Sequence, residues 1–554
     1  MNQTNTVYLF LLLLFLIVKG TFAQDFSLNV TSKHKVEADV LEKMNYKKKH
    51  KDTITLKLQV DKISDYLKTI GYFATTLDSI NNINNNFTAY YSLFNQTKIA
   101  FIQIDSASKF LPENIQKEGT NVSVPINLLQ SNLNSISKNL DRQGKSFSKV
   151  QLKNIKIKND TLFADLNINE SKKRIIDDVI IKGYPEFPRT FLKNYFNIQS
   201  QNTFNQQKIT KISTLSKNLR FVKEIKPPEA LFTADSTQIF LYLKKQSNNS
   251  LDGIVGFASK ENGELLFNGI IDLKLHNILN TGEKFELFWN SIGEERQEFK
   301  LATDLPYVFN SKISPQLSFS LYKQDSSFLN TKFDSKLLYS INPAINFALT
   351  YNSASSENLK ENLDNNIETF SNYFLGFEFQ YTIPSKDFFF NDTFAFAINP
   401  TFGRRKTNQA ASNQFKIETT TSFLWNLGLK NSVFIQNKLG YLQSDSFLDN
   451  ELFRIGGANS IRGFDEQSIF ANNYTYFNIE YRYLTSQKSY LYSITDIGAI
   501  ETRSKKDTIF GLGLGYLFTT NNSQITLSTV IGANSSQNFN IKNSKLIINW
   551  VTYF

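Results

Sequence analysis

The stretch GFEFQYTI, Gly376–Ile383, puts Phe377, Phe379, Tyr381 and Ile383 on one face and Glu378, Gln380 and Thr382 on the other. Such period-two alternation is strand grammar, because successive side chains of an extended backbone point to opposite sides. INFALTY (Ile345–Tyr351) repeats it with Ile345, Phe347, Leu349 and Tyr351. LGLGYLF (Leu512–Phe518) sets Leu512, Leu514, Tyr516 and Phe518 against a face made mainly of glycine. Large apolar groups on one side and polar or small groups on the other suit strands standing between lipid and a watery lumen. Sixteen such segments run from LDGIVGFASK to KLIINWVTYF. That is roughly 19 residues per strand and connection, room for strands of about 9–11 residues with mixed turns. Lipid offers the backbone no hydrogen bonds, so the sheet must close on itself. A secreted sandwich would need far fewer strands per domain. The expectation for 251–554 is a 16-stranded antiparallel transmembrane β-barrel.

The rest of the composition agrees. The chain has 554 residues with 50 Phe and 24 Tyr, yet its mean hydropathy is −0.30. Val7–Val18 is an apolar run too short for a spanning helix, and Ala23 offers a small residue for cleavage. Residues 1–23 therefore read as an export signal. No later apolar run reaches the length of a spanning helix. The absence of cysteine removes disulfides, thiolate metal sites and cysteine nucleophiles. Three histidines supply little metal or acid–base chemistry, so no metal and no cofactor are expected. Neither a Gly-x-Ser-x-Gly elbow nor a phosphate loop occurs, which argues against an enzyme. The net charge of +11 suits anionic lipid or an acidic partner, or simply a solvated surface.

Before the barrel, helical and strand periods mix in a cycle of a strand, two helices and two strands. The first cycle is assigned 24–95, with a helix through TLKLQVDKISDYLKTIGYF that ends at Gly71. The second, 96–171, has helices closing at Gly144 and then an alternating pair with an Asn-Asp turn. The third, 172–246, runs from RIIDDVIIKG through two helices to the hairpin ALFTAD/TQIFLYLKK. An α+β module repeated three times precedes the barrel. The third copy resembles a polypeptide-transport-associated (POTRA) domain.

One segment breaks the alternation. ELFRIGGANSIRGFDEQSIF, Glu451–Phe470, reads as neither helix nor clean strand, and a connector this long is usually functional or disordered. It falls between barrel strands eleven and twelve, with Gly456, Gly457, Ser460, Arg462, Gly463 and Phe464. Strand twelve, YFNIEYRYL, places Glu480 on the face of Asn478 and Arg482, toward the lumen. This loop resembles the signature of the BamA/TamA superfamily, also called the bacterial surface antigen family. The resemblance implies that the loop folds back into the barrel and that Arg462 meets acids on the inner wall. By the same resemblance those acids are Glu480 and Asp496, the latter in an Asp-x-Gly pattern. A guanidinium can hold two carboxylates at once, and burying it without them would be costly. LHNILNTGEKFELFW resembles the family's turn after strand two, with Asn280 in place of one glycine, and Pro306 stands near strand four. Trp550 and Phe554 resemble the barrel C-terminal signal read by assembly machinery, although Thr552 departs from it.

With three POTRA-like units the chain looks most like the TamA type. What the resemblance implies is an outer-membrane assembly or translocation factor with its N-terminal domains in the periplasm. Its partners would be unfolded outer-membrane or secreted client proteins, outer-membrane lipid and a periplasmic or inner-membrane protein on the POTRA domains; nucleic acid is not among them. The barrel would open between its first and last strands, where Asp252, Gly253 and Gly256 make strand one a poor strand former. The alternative is a two-partner secretion pore exporting one dedicated substrate, with VEADVLEKMNYKKKHK as a short basic plug helix.

Overall fold

The computed structural model describes residues 26–554 except 105–116, 247, 260–264, 293–295, 360–365, 386–388, 391 and 504. The export-signal segment lies outside the described residues. No described helix is long and apolar enough to cross a membrane.

The chain divides into two compact units: 1–175 with 203–207, and 176–202 with 208–554. The first unit holds two mixed sheets. Strands β1 (Phe26–Thr31), β2 (Lys49–His50), β3 (Thr76–Ile83) and β4 (Asn86–Ser92) are ordered β2-β1-β4-β3. Helices α1 (Lys35–Glu42) and α2 (Thr53–Thr69) accompany them. Leu56, Val60, Ile63 and Leu67 recur every three or four residues along α2 and pack with Leu28, Val30, Ala89 and Tyr91. Asp52 caps α2 by accepting the Thr55 N–H at 2.7 Å, and Gly71 (φ +100°) turns the chain out of it. A Cβ on Gly71 would stand 1.9 Å from the Thr97 carbonyl oxygen. The segment read as a basic plug helix is α1 followed by β2. Its Leu41 is fully buried in this same core, so α1 is a piece of the first sheet's packing and not a separate helix.

The second sheet contains β5 (Ile99–Gln103), β6 (Lys117–Glu118), β7 (Asn121–Pro125), β8 (Lys149–Lys158) and β9 (Thr161–Asn169), ordered β6-β7-β5-β9-β8. Between β7 and β8 lies a single helix, α3 (Ile126–Arg142), where two were expected. VPINLL is the reason. Val122 and Val124 alternate into the core as strand β7 before Ile126 starts the helix.

In the second unit, a third sheet (β10, Asp178–Lys182; β11, Val222–Phe232; β12, Thr237–Lys245) is ordered β10-β12-β11, with helices α4 (Arg189–Asn194) and α5 (Gln206–Ser216). Sixteen strands then close into an antiparallel barrel. Neighbouring strands follow one another in sequence, strand eleven (Asn431–Gln443) meeting strand twelve (Asn473–Ser486) across the long loop, and the last strand closes the ring on the first. The apolar rows point outward: Leu349 is 68 % exposed, Leu514 66 % and Phe377 52 %, the surface a lipid-facing wall must have.

The third sheet is plugged into the turn after barrel strand two (Leu265–His276). Tyr184 Oη donates to Asn280 Oδ1 at 2.9 Å and accepts from Asn277 Nδ2 at 2.7 Å. Phe191 stands edge-on to Tyr307 at 5.0 Å between ring centres. A Cβ on Gly282 (φ +82°) would lie 2.4 Å from Phe191. Asn280 adopts φ +56°, a left-handed conformation that asparagine tolerates better than most residues, which explains its standing where the resemblance expects glycine. Glu283, fully buried, accepts from the N–H groups of Leu279 at 2.7 Å and Thr281 at 3.1 Å and from the Thr281 hydroxyl. Burial pushes its pKa up, but these hydrogen bonds outweigh burial and hold it below the usual carboxylate range. A depressed pKa contributes stability that is complete above the unfolded value and lost as pH falls through the folded one. Glu283→Gln should therefore lower the melting temperature at pH 7, and the gap to wild type should shrink as pH falls below the ordinary carboxylate pKa. Melting curves of both proteins from pH 7 to pH 3 check this; a gap independent of pH would refute it.

Candidate functional site

The loop between barrel strands eleven and twelve lies inside the barrel. Its tip is fixed by a chain of four buried charges. Arg462 donates its main-chain N–H to Asp496 Oδ2 at 2.9 Å, Nε to the same oxygen at 2.8 Å and Nη2 to Oδ1 at 2.6 Å. Its Nη1 reaches Glu480 Oε1. The other oxygen of Glu480 accepts from Arg482 Nε at 2.8 Å and Nη2 at 2.7 Å. Arg482 in turn is sandwiched between the rings of Phe434 (4.1 Å) and Phe390 (4.3 Å). All four charged residues are less than a tenth exposed, and Asp496 is fully buried. Two cations and two anions leave no net charge, which is what makes so much buried charge tolerable. Among the described residues, no group of three or more His, Asp or Glu could hold a metal ion.

The sequence-derived residues converge here. Asp496 faces inward from barrel strand thirteen (Ser489–Glu501), beside Glu480 on strand twelve. Ser460 Oγ accepts the Gly456 N–H at 3.1 Å, and its carbonyl accepts from Asn478 Nδ2 at 2.9 Å. Gly456, Gly457 and Gly463 have φ of +108°, +100° and +96°, a region in which only glycine is unstrained. Phe464 and Ile461 pack in a small core with Ile455, Tyr476, Ile500 and Ile509. Trp550 and Phe554 stand apart, exposed on the last strand (Lys545–Tyr553) and just beyond it, with the Phe554 N–H on the Asn249 carbonyl.

Two groups of residues escaped the sequence reading. One is the seat. A Cβ on Gly511 would be 2.3 Å from the Arg462 carbonyl oxygen, one on Gly532 2.6 Å from that of Gly463, and one on Gly498 2.4 Å from Ile461. Strands thirteen, fourteen (Lys506–Thr519) and fifteen (Ser523–Ala533) thus present a glycine wall on which the loop lies. The glycine-rich face of LGLGYLF was the available signal. The other is the root of the loop. Arg405, on barrel strand nine (Asp392–Thr407), is ion-paired with buried Glu451, which also accepts from Gln414 Nε2 at 2.9 Å. Asn450 Nδ2 donates to Ser356 Oγ at 2.6 Å and to the Glu368 carbonyl at 2.8 Å. Nothing in the spacing of these residues announces that they meet. Glu451→Gln strands the buried Arg405 charge and should lower the barrel's melting temperature, while Arg405→Met/Glu451→Leu, which removes both charges, should recover part of the loss. Melting of the three variants tests the pair; equal loss in single and double variants would contradict it.

Beside the loop, the lumen keeps a cavity of about 740 Å³ with Lys300, Lys332, Lys416, Asp334 and Glu418 among its lining residues. Among the described residues, the first strand (Ser250–Ser259) pairs with the last at Ser250–Tyr553 and Leu251–Thr552, against ten residue pairs between strands one and two. The closing seam has the fewest paired residues of the ring among the described residues.

The family model for haemolysin secretion/activation protein ShlB/FhaC/HecB matches residues 320–518, a span that contains the loop and both of its acids. CdiB from Acinetobacter baumannii superposes with a TM-score of 0.51 at 13 % identity, over 79 % of this chain and 83 % of that one. The chain shares the fold of that protein. BamA from Haemophilus ducreyi lacking POTRA domains 1–3 (TM-score 0.44, 14 % identity, 77 % and 93 % covered) and CdiB from Escherichia coli (0.49, 14 %, 78 % and 86 %) are also similar. No curated protein matches. The barrel is an outer-membrane barrel, preceded by small mixed sheets consistent with POTRA domains.

Proposed function

We propose that the chain is an outer-membrane transporter that moves a polypeptide client, with export of a dedicated secreted partner as the first reading. The observation that carries it is the match of the secretion/activation family model across the luminal loop and its acids. The three N-terminal modules, 24–95, 96–171 and 172–246, would receive the client in the periplasm by pairing with its extended segments. The loop, braced by Arg462, Glu480 and Asp496, would fill the lumen until transport begins. No covalent chemistry is needed.

A second reading, assembly of other barrels as in the TamA type, draws support from the three modules and from the packing of α1 into the first of them. Client barrels would then pair with the weakly closed seam. Quantitative proteomics of outer-membrane and secreted fractions after deletion separates the two. Loss of one secreted protein supports export; a joint fall of several barrel proteins supports assembly; unchanged fractions refute both.

The seam has its own test. Because the chain has no cysteine, Leu251→Cys with Thr552→Cys, a directly opposed pair, can form one disulfide only. Crosslinking should stop transport and reduction should restore it. Transport at an unchanged rate through the crosslinked protein would show that the seam stays shut.

A further inference from the structure

We propose that the β8 edge of the second sheet is a docking strand selective for acidic extended segments of the client. The inference rests on the transporter reading and names the chemistry of what that transporter takes.

Three long strands lie at sheet edges in the N-terminal region: β3, β8 and β11. They differ in what they offer an incoming strand. Strand β11 carries Pro227 and Pro228 in mid-strand and two register shifts, so part of its edge lacks donors. Its Lys226 is already paired with Glu229 at 2.7 Å, which also accepts from the Tyr242 hydroxyl. Strand β3 is fully exposed, with one charged side chain, Asp78, held by Thr76 and Ser92. It offers an edge without charge preference.

Strand β8 is different. In ten residues it has Lys149, Lys153, Lys156 and Lys158 and no acid. They lie opposite Asn169, Asp165, Phe163 and Thr161 of β9, so all four stand on the sheet face turned away from the core that α3 covers. None is paired with a carboxylate among the described residues. Asp165, opposite Lys153, is engaged instead by Asn154 Nδ2 at 2.6 Å. The same face shows an aromatic pair, Phe101 and Phe163, 5.8 Å apart, and Ile99, 43 % exposed. Among the described residues only β9 pairs with β8, which leaves the main-chain groups of its other edge without a strand partner.

Lysine on an edge strand is also a device against aggregation. Here the two roles coincide. Four cations strung along about 30 Å of extended edge repel a second copy of the same edge and any basic strand, most strongly at low salt. They attract a strand with carboxylates at alternate positions, which lie directly across from lysines on one face. Main-chain pairing supplies affinity and charge supplies the choice.

The test uses the full-length protein in lipid nanodiscs and three fluorescent ten-residue peptides. One has glutamate at every second position between threonine and valine; the others replace glutamate by glutamine or lysine. Anisotropy at low salt should give at least tenfold tighter binding for the glutamate peptide, fading at high salt. Lys153→Glu/Lys156→Glu, at two exposed sites, leaves two cations and two anions on the strand and should abolish the glutamate preference without changing heat stability. Equal binding of all three peptides, or a glutamate preference that survives the double substitution, would overturn the proposal. The deletion experiment is independent of this one. A transporter whose loss removes its client but whose β8 ignores charge fails here alone; charge-selective binding with unchanged fractions fails the transporter reading alone.

Discussion

Arg462→Ala should leave a barrel that assembles but melts at a distinctly lower temperature and transports poorly. The substitution removes the central link of the Asp496–Arg462–Glu480–Arg482 chain. It leaves Asp496, fully buried, without its bidentate partner, and Glu480 with Arg482 alone. Breaking a buried pair by removing one partner costs about 3–5 kcal/mol, because the remaining charge keeps its desolvation penalty. Arg462→Lys should recover little, since an ammonium cannot serve the three acceptor sites that Nε, Nη1 and Nη2 reach together. Heat-modifiable mobility on gels and a transport assay measure both effects. A variant equal to wild type in both would show that the loop needs no brace.

The second large effect is expected from the wall. Gly511→Val adds three carbons where the first alone would meet the Arg462 carbonyl oxygen at 2.3 Å. The partner atom is backbone, so it cannot swing aside as a flexible side chain would. Overpacking costs about 1–3 kcal/mol where neighbours can shift. Here the shift moves Arg462 off its acids and adds part of their coupling. Gly511→Val should therefore imitate Arg462→Ala, and the two together should do little more than either, because both act through one contact. Gly428 is the control. A Cβ there meets nothing within 4 Å, and Gly428→Ala should be silent. Additive losses in the double variant would separate the wall from the brace.

The barrel was legible because period-two alternation is local and is repeated sixteen times; Phe377 and Glu378 declare their sides without knowing their neighbours. Glu480 could be aimed inward for the same reason. Asp496 could be placed only through a resemblance. The Arg405–Glu451 pair was invisible, since it joins barrel strand nine to the loop root across 46 residues of chain. Such a meeting depends on shear and loop path, which no local pattern encodes. The division of VPINLL between a strand and a helix failed for a milder reason, because short apolar runs suit both periods.

One set of contacts ties the loop to both sides of the seam. Just past the tip, Asp465 holds Lys545 on the last strand, while the Glu466 carbonyl accepts from Arg296 and Gln467 donates to Glu298, both on barrel strand four (Arg296–Asp304). Three consecutive residues thus join the last strand to strand four, on the far side of the seam and of strands one, two and three (Lys284–Ile292). They form a tie-bar across the part of the ring with the fewest rungs. Parting the seam lengthens the span between Lys545 and Arg296, so the tie-bar must be stretched or let go first. On the proposed transporter reading, tension at the wall and slack in the lumen would be two ends of one lever, and a client pulling on either one would load the other.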